Sequence, residues 1–160
     1  MAIFTIGYEG LSLDGFLGLL ADNEIDTLVD IREYPLSRKP GFSKTILGTT
    51  VSLLGIEYMH VQALGCPKEI RNRYRDNGDW NQYKKGFLEY LDTQGKAVSD
   101  LADLSLSSNF ALLCFEADFN FCHRSMVATA VSKITHEKVV HIQANKVKAG
   151  KAAALGLAFA

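Results

Sequence analysis

Five short apolar runs, separated by segments with helical spacing, constrain the fold of this 160-residue chain more than any other feature. The runs are rich in β-branched and aromatic residues and are bounded by turn formers, which is typical of buried strands; they cover residues 3–8, 27–32, 57–61, 110–116 and 139–143. Segments with helical spacing follow capping candidates at Ser12, Ser43 and Asp79. Near-continuous apolar strands that alternate with helices indicate a mostly parallel sheet. We therefore predict a three-layer α/β fold with about five strands and helices on both faces.

The predicted domain organisation is simple. Residues 1–143 are expected to form one α/β domain, and the Ala-, Gly- and Lys-rich residues 144–160 a peripheral tail. The sequence shows neither a charged-then-apolar leader nor an apolar run of membrane-spanning length, so we expect a soluble protein that makes no membrane contact. An odd number of cysteines, three, fits a reduced cytoplasmic protein better than a disulfide scaffold. We therefore expect free thiols.

The charge of the chain is balanced overall but unevenly distributed. A formal net charge of -1 predicts neither a nucleic-acid binder nor a disordered chain. Five of the six arginines nevertheless fall in two stretches, "DIREYPLSRKPGF" at 30–42 and "GCPKEIRNRYRDNGDW" at 65–80, and the sixth is Arg124. Arginine suits planar, bidentate recognition of phosphate or carboxylate. For the second stretch, a solvated loop with incidental arginines is an equally good interpretation.

Polar side chains follow the predicted strands where each strand ends. They are Tyr8 and Glu9 after the first, Asp30, Arg32 and Glu33 at the second, His60 at the third, and Glu116 with a Cys-His-Arg run at the fourth. Open parallel sheets bind ligands outside the carboxyl ends of their strands, so these groups predict a site at that edge. The alternative is that charged residues end strands because strands end at the surface.

The stretch "CFEADFNFCHRS" concentrates chemically active groups after the fourth strand. His123 and Arg124 precede the apolar helix position Val127 by four and three residues, which predicts that they face the core. The helix start offers unpaired amides and a positive dipole end for an anion. Cys122 at this terminus is a candidate nucleophile and equally a candidate core residue. Glu116 is a candidate to orient His123, to pair with Arg124, or to exchange protons.

Sharper motifs are not present. A phosphotyrosine-phosphatase-type loop needs more residues between its cysteine and arginine than separate Cys122 from Arg124. A zinc site assembled from Cys66, Cys114, Cys122 and His123 lacks paired short spacings and needs distant loops to converge. There is no Walker-type phosphate loop. We therefore expect no metal and no cofactor.

The motifs together resemble the domain-of-unknown-function 488 family. The resemblance rests on "TIGYEG" at 5–10, "LVDIREYPLSRKPGFSK" at 28–44, "GIEYMHVQALGCPKEIR" at 55–71, "GDW" at 78–80 and "LLCFEADFNFCHRSMVA" at 112–128, and it extends to about residue 143. The family is uncharacterised, and its cysteine and polar motifs imply enzymes. The positions carried over by motif are Tyr8, Asp30, Arg32, Pro35, Ser37, Arg38, Phe42, Gly65, Glu116, Cys122, His123 and Arg124. Cys66 departs from the family pattern, which is closer to "LGNPKE".

These features predict an enzyme with an anion-binding cleft that acts on a phosphate-bearing substrate, either a nucleotide or a nucleic acid. The expected substrate-binding residues are Tyr8, Arg32, Ser37, Arg38 and Arg124, and the expected catalytic residues are Asp30, Glu116, Cys122 and His123. The alternative is a non-catalytic nucleic-acid-binding module that uses the arginine-rich stretches for phosphates and Tyr74, Trp80 and Tyr83 for base stacking. Trp80 and Tyr83 also fit the apolar stripe of a helix.

Overall fold

A five-stranded parallel sheet forms the centre of the molecule, and this confirms the predicted fold class. The computed structural model describes residues 2–144, so the predicted tail beyond Ala144 lies outside the described residues. The strands are β1 (Ala2–Gly7), β2 (Thr27–Asp30), β3 (Glu57–His60), β4 (Phe110–Cys114) and β5 (Lys138–Ile142). Their order across the sheet is β3-β2-β4-β1-β5, and all neighbouring pairs are parallel.

Six helices connect the strands. They are α1 (Leu13–Asp22), α2 (Lys44–Leu53), α3 (Lys68–Asn77), α4 (Trp80–Asp92), α5 (Gly95–Leu104) and α6 (His123–Thr135). The side chains of Ser12 and Asp79 cap α1 and α4, as predicted, by accepting bonds from backbone N–H groups. Ser43 precedes α2, but its hydroxyl exchanges hydrogen bonds with the backbone of Ser37 instead. Within residues 2–144 no helix is both long enough and apolar enough to cross a membrane.

Helix α3 replaces the solvated loop that the second arginine stretch suggested. Its arginine-rich sequence offers few apolar positions, and only Ile70 and Tyr74 of this helix pack against the core. Gly78 ends the helix in the left-handed conformation, with φ of 66°, a geometry in which glycine costs little. Helix α3 is thus defined by a narrow apolar stripe and by the glycine that ends it.

Side chains that alternate along the strands build two cores, one on each face of the sheet. Ile3, Val29 and Leu112 face α4, α5 and α6, whereas Ile6, Leu28 and Leu113 face α1 and α2. Both cores contain residues that are fully buried. This arrangement confirms the predicted helix layers on both faces and leaves the carboxyl edge of the sheet open to the loops.

Strand order brings the loops after β1, β2 and β4 together, because β4 lies between β2 and β1. Gly7 ends β1 opposite Cys114. A Cβ atom at Gly7 would overlap the Glu116 carbonyl oxygen and lie 2.6 Å from its carbonyl carbon. Glycine therefore allows the loop after β4 to lie directly against the end of β1.

Candidate functional site

A cleft with a volume of about 410 Å³ opens at the carboxyl edge of the sheet. We call it the arginine cleft, after Arg32, Arg38 and Arg71 in its lining. Six of the predicted site residues line it: Tyr8, Arg32, Ser37, Arg38, Glu116 and His123. The other three, Asp30, Cys122 and Arg124, are buried behind it. The predicted residues are therefore brought to one edge, but in two layers.

Arg32 is held in the cleft floor by a buried ion pair with Asp30. Its Nε and Nη2 donate to the two carboxylate oxygens at 2.8 and 2.7 Å, and Nη1 donates to the Phe42 carbonyl at 2.7 Å and to the Tyr8 hydroxyl at 3.2 Å. The Tyr58 hydroxyl donates to Asp30 as well. Burial alone would lower the pKa of Arg32, but the hydrogen bond and charge of Asp30 raise it. Asp30 therefore holds the Arg32 guanidinium in place, and both of its carboxylate oxygens already accept hydrogen bonds from Arg32 and Tyr58.

The cleft wall beside Arg32 carries two more arginines in different environments. Arg71 donates from Nη2 to Glu33 at 2.8 Å and from Nε to the Cys66 carbonyl at 3.0 Å. Arg38 is exposed, and no carboxylate within residues 2–144 forms an ion pair with it. Arg38 therefore supplies uncompensated positive charge to the cleft.

Tyr8 and Ser37 shape the cleft through packing and turn contacts. The Tyr8 ring stacks on Phe42, with centroids 4.5 Å apart, and meets the ring of Phe115 edge-on. The Ser37 hydroxyl accepts a bond of 3.1 Å from the backbone N–H of Lys39, which stabilises the turn that carries Arg38. Both residues line the cleft.

Glu116 places a carboxyl group of altered acidity in the cleft lining. Burial raises the pKa of Glu116, and the nearby guanidinium of Arg124 offsets this only in part. A carboxyl group with a raised pKa keeps its proton to a higher pH than an ordinary carboxyl group does, which is a property of general acids. Among the four predicted catalytic residues, Glu116 combines this property with access to the cleft.

Arg124 is buried behind the cleft, and its guanidinium is occupied by protein acceptors. Nε donates to the Thr5 hydroxyl at 3.2 Å, Nη2 to the Ala117 carbonyl at 3.1 Å, and Nη1 to the sulfur of Cys114 and the carbonyl of Glu116. Burial lowers the pKa of Arg124 to about 10. Arg124 faces the core, as the predicted helical phase indicated. Its guanidinium does not line the cleft, so it is not placed to contact an anion there directly, as the sequence led us to expect. It positions the loop after β4.

His123 is buried at the start of α6 and lines the cleft with one edge. Its Nε2 lies 2.8 Å from the carbonyl oxygen of Ile31. A carbonyl only accepts hydrogen bonds, so Nε2 carries the proton and Nδ1 has a free lone pair. Burial lowers the pKa of His123 to about 4, so the ring is neutral at pH 7.

The sulfurs of Cys114 and Cys122 are joined in a disulfide. The expectation of free thiols is therefore wrong for these two residues, and within the described chain it holds for Cys66 alone. The physical reason is the return of residues 115–121, which brings the cap of α6 over the end of β4. Cys122 is only 1% exposed, and its sulfur accepts the backbone N–H of Arg124 at 3.5 Å. In this state Cys122 is a capping residue and not a free nucleophile.

Several lining residues were not among the expected substrate-binding and catalytic residues, although Glu33 was expected at this edge and Arg71, Tyr74 and Tyr83 belonged to the nucleic-acid-binding alternative. These lining residues are Glu33, Tyr34, Leu36, Cys66, Arg71, Tyr74, Tyr83, Cys114, Phe115 and Phe121. Gly65 is the residue whose type could have indicated this part of the lining. A Cβ atom there would lie 2.5 Å from the backbone nitrogen of Glu33, so glycine permits the loop before α3 to contact the loop after β2. Burial raises the pKa of the Cys66 thiol to about 11, which makes it a poor nucleophile.

Comparison with known proteins adds one finding. The family model described as "Domain of unknown function DUF488" matches residues 12–131, more than half of the chain. No curated protein and no solved structure matches the chain.

Proposed function

The chain belongs to the DUF488 family, and we propose that it is an enzyme whose arginine cleft binds a phosphate-bearing substrate, namely a nucleotide or a nucleic acid. One observation carries the proposal: an arginine that no carboxylate of the described residues pairs with, exposed aromatic rings and a carboxyl group of raised pKa surround the same cleft. Each group supports a different part of the assignment.

The phosphate subsite lies between Arg38 and Arg71. Arg38 offers an entire guanidinium fork, the geometry that suits bidentate contact with phosphate. Arg71 uses Nε and Nη2 for its protein contacts and retains Nη1 for a ligand. Arg32, paired with Asp30, forms the floor of this subsite.

The aromatic rim favours a substrate that combines phosphate with a flat apolar group. Tyr34, Phe115 and Phe121 are 56%, 45% and 50% exposed although each lines the cleft. A nucleobase that stacks on such a ring gains about 1–3 kcal/mol. Inorganic phosphate alone would leave these rings in water, so a nucleotide fits the lining better.

Proton exchange falls to Glu116 in this scheme. Its raised pKa and its place in the lining allow it to donate a proton to a leaving group or to accept one from an attacking group. His123 lines the same wall and is neutral at pH 7, with its Nε2–H donated to the Ile31 carbonyl. Cys122 takes no covalent role in the disulfide state, because its sulfur is bonded to Cys114 and lies behind the lining.

The non-catalytic module receives less support. The rings of Trp80 and Tyr83 stack on each other at 4.7 Å, and Tyr74 packs edge-on against both. Tyr83 is buried. These rings are therefore engaged with one another, as the helix stripe suggested, and do not form an open platform for bases.

A binding panel tests the assignment. Nucleoside monophosphates, the matching nucleosides and short single-stranded oligonucleotides are titrated into the parent protein, Arg38→Ala and Arg75→Ala. Arg75 is the matched control, since it is an exposed arginine on α3 whose nearest acid is Asp76 and which does not line the cleft. We expect phosphate-bearing ligands to bind better than nucleosides, and Arg38→Ala to weaken them by about tenfold or more, as for loss of a charge-assisted hydrogen bond.

Two outcomes would reject the assignment. The first is that no phosphate-bearing ligand binds the parent protein. The second is an equal loss for Arg38→Ala and Arg75→Ala, which would indicate general surface attraction. For a ligand that is turned over, Glu116→Gln should retain binding and lower the rate by about 10²–10⁴, the range for loss of general acid-base catalysis.

A further inference from the structure

Behind the arginine cleft, three potential metal ligands converge. The sulfurs of Cys114 and Cys122 and a ring nitrogen of His123 all lie within 4.8 Å of one another, and all three residues are buried. Cys114 ends β4, whereas Cys122 caps α6 and His123 begins it. Thiolate and imidazole are the ligands that zinc favours, and three protein ligands with a fourth position open are typical of catalytic zinc sites. The fourth residue considered from the sequence, Cys66, is not part of this group.

The imidazole of His123 is oriented for ligation. Its Nε2–H is engaged by the Ile31 carbonyl at 2.8 Å, so the lone pair that remains is on Nδ1, which lies 3.8 Å from the Cys122 sulfur. Sulfur and nitrogen ligands of a tetrahedral zinc ion lie about 3.6 Å apart when Zn–S and Zn–N have their usual lengths. A backbone carbonyl on the second ring nitrogen is the common outer-shell arrangement for zinc-bound histidine.

The two sulfurs have hydrogen-bond donors of their own. The Arg124 guanidinium donates to the Cys114 sulfur at 3.2 Å, and the Arg124 backbone N–H donates to the Cys122 sulfur at 3.5 Å. Such donors stabilise thiolates, the form that binds metals. The Cα atoms of the two cysteines are 7.7 Å apart, which leaves reduced sulfurs room to separate around an ion by side-chain rotation.

We propose that, once a thiol reductant has supplied two electrons and two protons to the disulfide, Cys114, Cys122 and His123 form a Cys2His site for Zn²⁺, with its fourth position facing the arginine cleft. As the two Zn–S bonds form, each thiol releases its proton to solvent and Nδ1 donates its lone pair, so no electron transfer is involved. Cys114 and His123 line the cleft and Cys122 lies behind it, which sets the direction of the open position. The disulfide has no thiolates to donate, so disulfide and zinc exclude each other. This site stands independently of the proposed nucleotide binding.

Cobalt substitution tests the site in the full 160-residue chain. The protein is reduced, stripped of metal with a chelator and titrated anaerobically with Co²⁺. We expect a thiolate-to-cobalt charge-transfer absorption and the visible bands of tetrahedral Co²⁺, both saturating at one ion per chain and both lost on addition of Zn²⁺. Cys122→Ser should weaken Co²⁺ binding by at least about a hundredfold, the upper range for loss of an outer-shell partner, and Cys66→Ser should bind as the parent does.

The oxidised parent protein provides an arm that requires no substitution. It retains every side chain and should give no charge-transfer absorption, even if Cys122→Ser fails to fold. Absence of the absorption in the reduced parent, its persistence in the oxidised parent, or its loss in a folded Cys66→Ser variant would each overturn the proposal.

Discussion

Replacement of Gly7 by alanine tests whether direct contact between the end of β1 and the loop after β4 builds the site. The new Cβ would lie 2.6 Å from the Glu116 carbonyl carbon and 3.0 Å from Arg124 Nη1. It would also overlap the Glu116 carbonyl oxygen, whereas an ordinary carbon–oxygen contact needs about 3.3 Å. Because this oxygen belongs to the backbone, the loop after β4 must move. Overpacking of this kind costs about 1–3 kcal/mol. Displacement of the Glu116 carbonyl also weakens its bond from the buried guanidinium, worth about 1.5–3 kcal/mol. We therefore expect a loss of about 3–5 kcal/mol.

Urea unfolding, followed by the fluorescence of the single tryptophan, measures this loss. With an m-value of about 2 kcal/mol/M, the midpoint should fall by about 2 M. Gly95→Ala is the matched control, because a Cβ atom there meets nothing within 4 Å; it should remain within about 0.5 kcal/mol of the parent. A Gly7→Ala variant less than about 1 kcal/mol below this control would refute the reasoning, since it would mean that the loop relaxes freely.

Three further predictions concern buried ionisable groups. Burial raises the pKa of Glu116 in the folded protein, so the stability that this carboxyl group contributes is present below its ordinary pKa of 4.5 and is lost as the pH rises through the folded pKa. In thermal unfolding, Glu116→Gln should therefore be more stable than the parent at pH 8 and converge with it near pH 4. An equal difference between the two proteins at every pH would contradict the raised pKa. The thiol of Cys66, whose pKa is raised to about 11, should react slowly with an alkylating reagent up to about pH 10, as followed by mass spectrometry. A labelling midpoint near pH 8.5, the ordinary cysteine pKa, would show that the thiol is not buried. Asp30→Ala should lower the free energy of unfolding, measured in urea, by about 3–5 kcal/mol because it leaves the buried Arg32 charge unpaired. The double variant Asp30→Ala with Arg32→Met should recover most of this loss. No recovery would mean that the unpaired charge is not the cause.

Strand positions and the core-facing phase of α6 were predictable because both depend on local apolar periodicity. The pattern of Val127 and its neighbours correctly placed His123 and Arg124 against the core. Periodicity does not show which acceptors a buried guanidinium will meet. Arg124 donates to Thr5 of β1 and to Cys114, Glu116 and Ala117 in the segment that precedes α6.

The contact between Cys114 and Cys122 lay beyond sequence reasoning for a related reason. It depends on the path of the intervening loop, which the glycine at position 7, more than a hundred residues earlier in the chain, permits by leaving room for the Glu116 backbone. Helix α3 was missed because charge dominates its sequence and its two apolar contacts give a weak signal. The edge of the sheet was therefore predictable, whereas the division of its residues between lining and support was not.

The position of β1 in the sheet has a consequence for biosynthesis. Phe4 pairs with Ala111 on one side and Val140 on the other, 107 and 136 residues later in the chain. At ribosomal rates, β1 waits roughly 5 to 20 s for its first neighbour. During that interval both of its edges, and the side chains of Ile3 and Ile6 that are later fully buried, are accessible to any strand or chaperone nearby. β1 therefore becomes an interior strand only after more than a hundred further residues have been made.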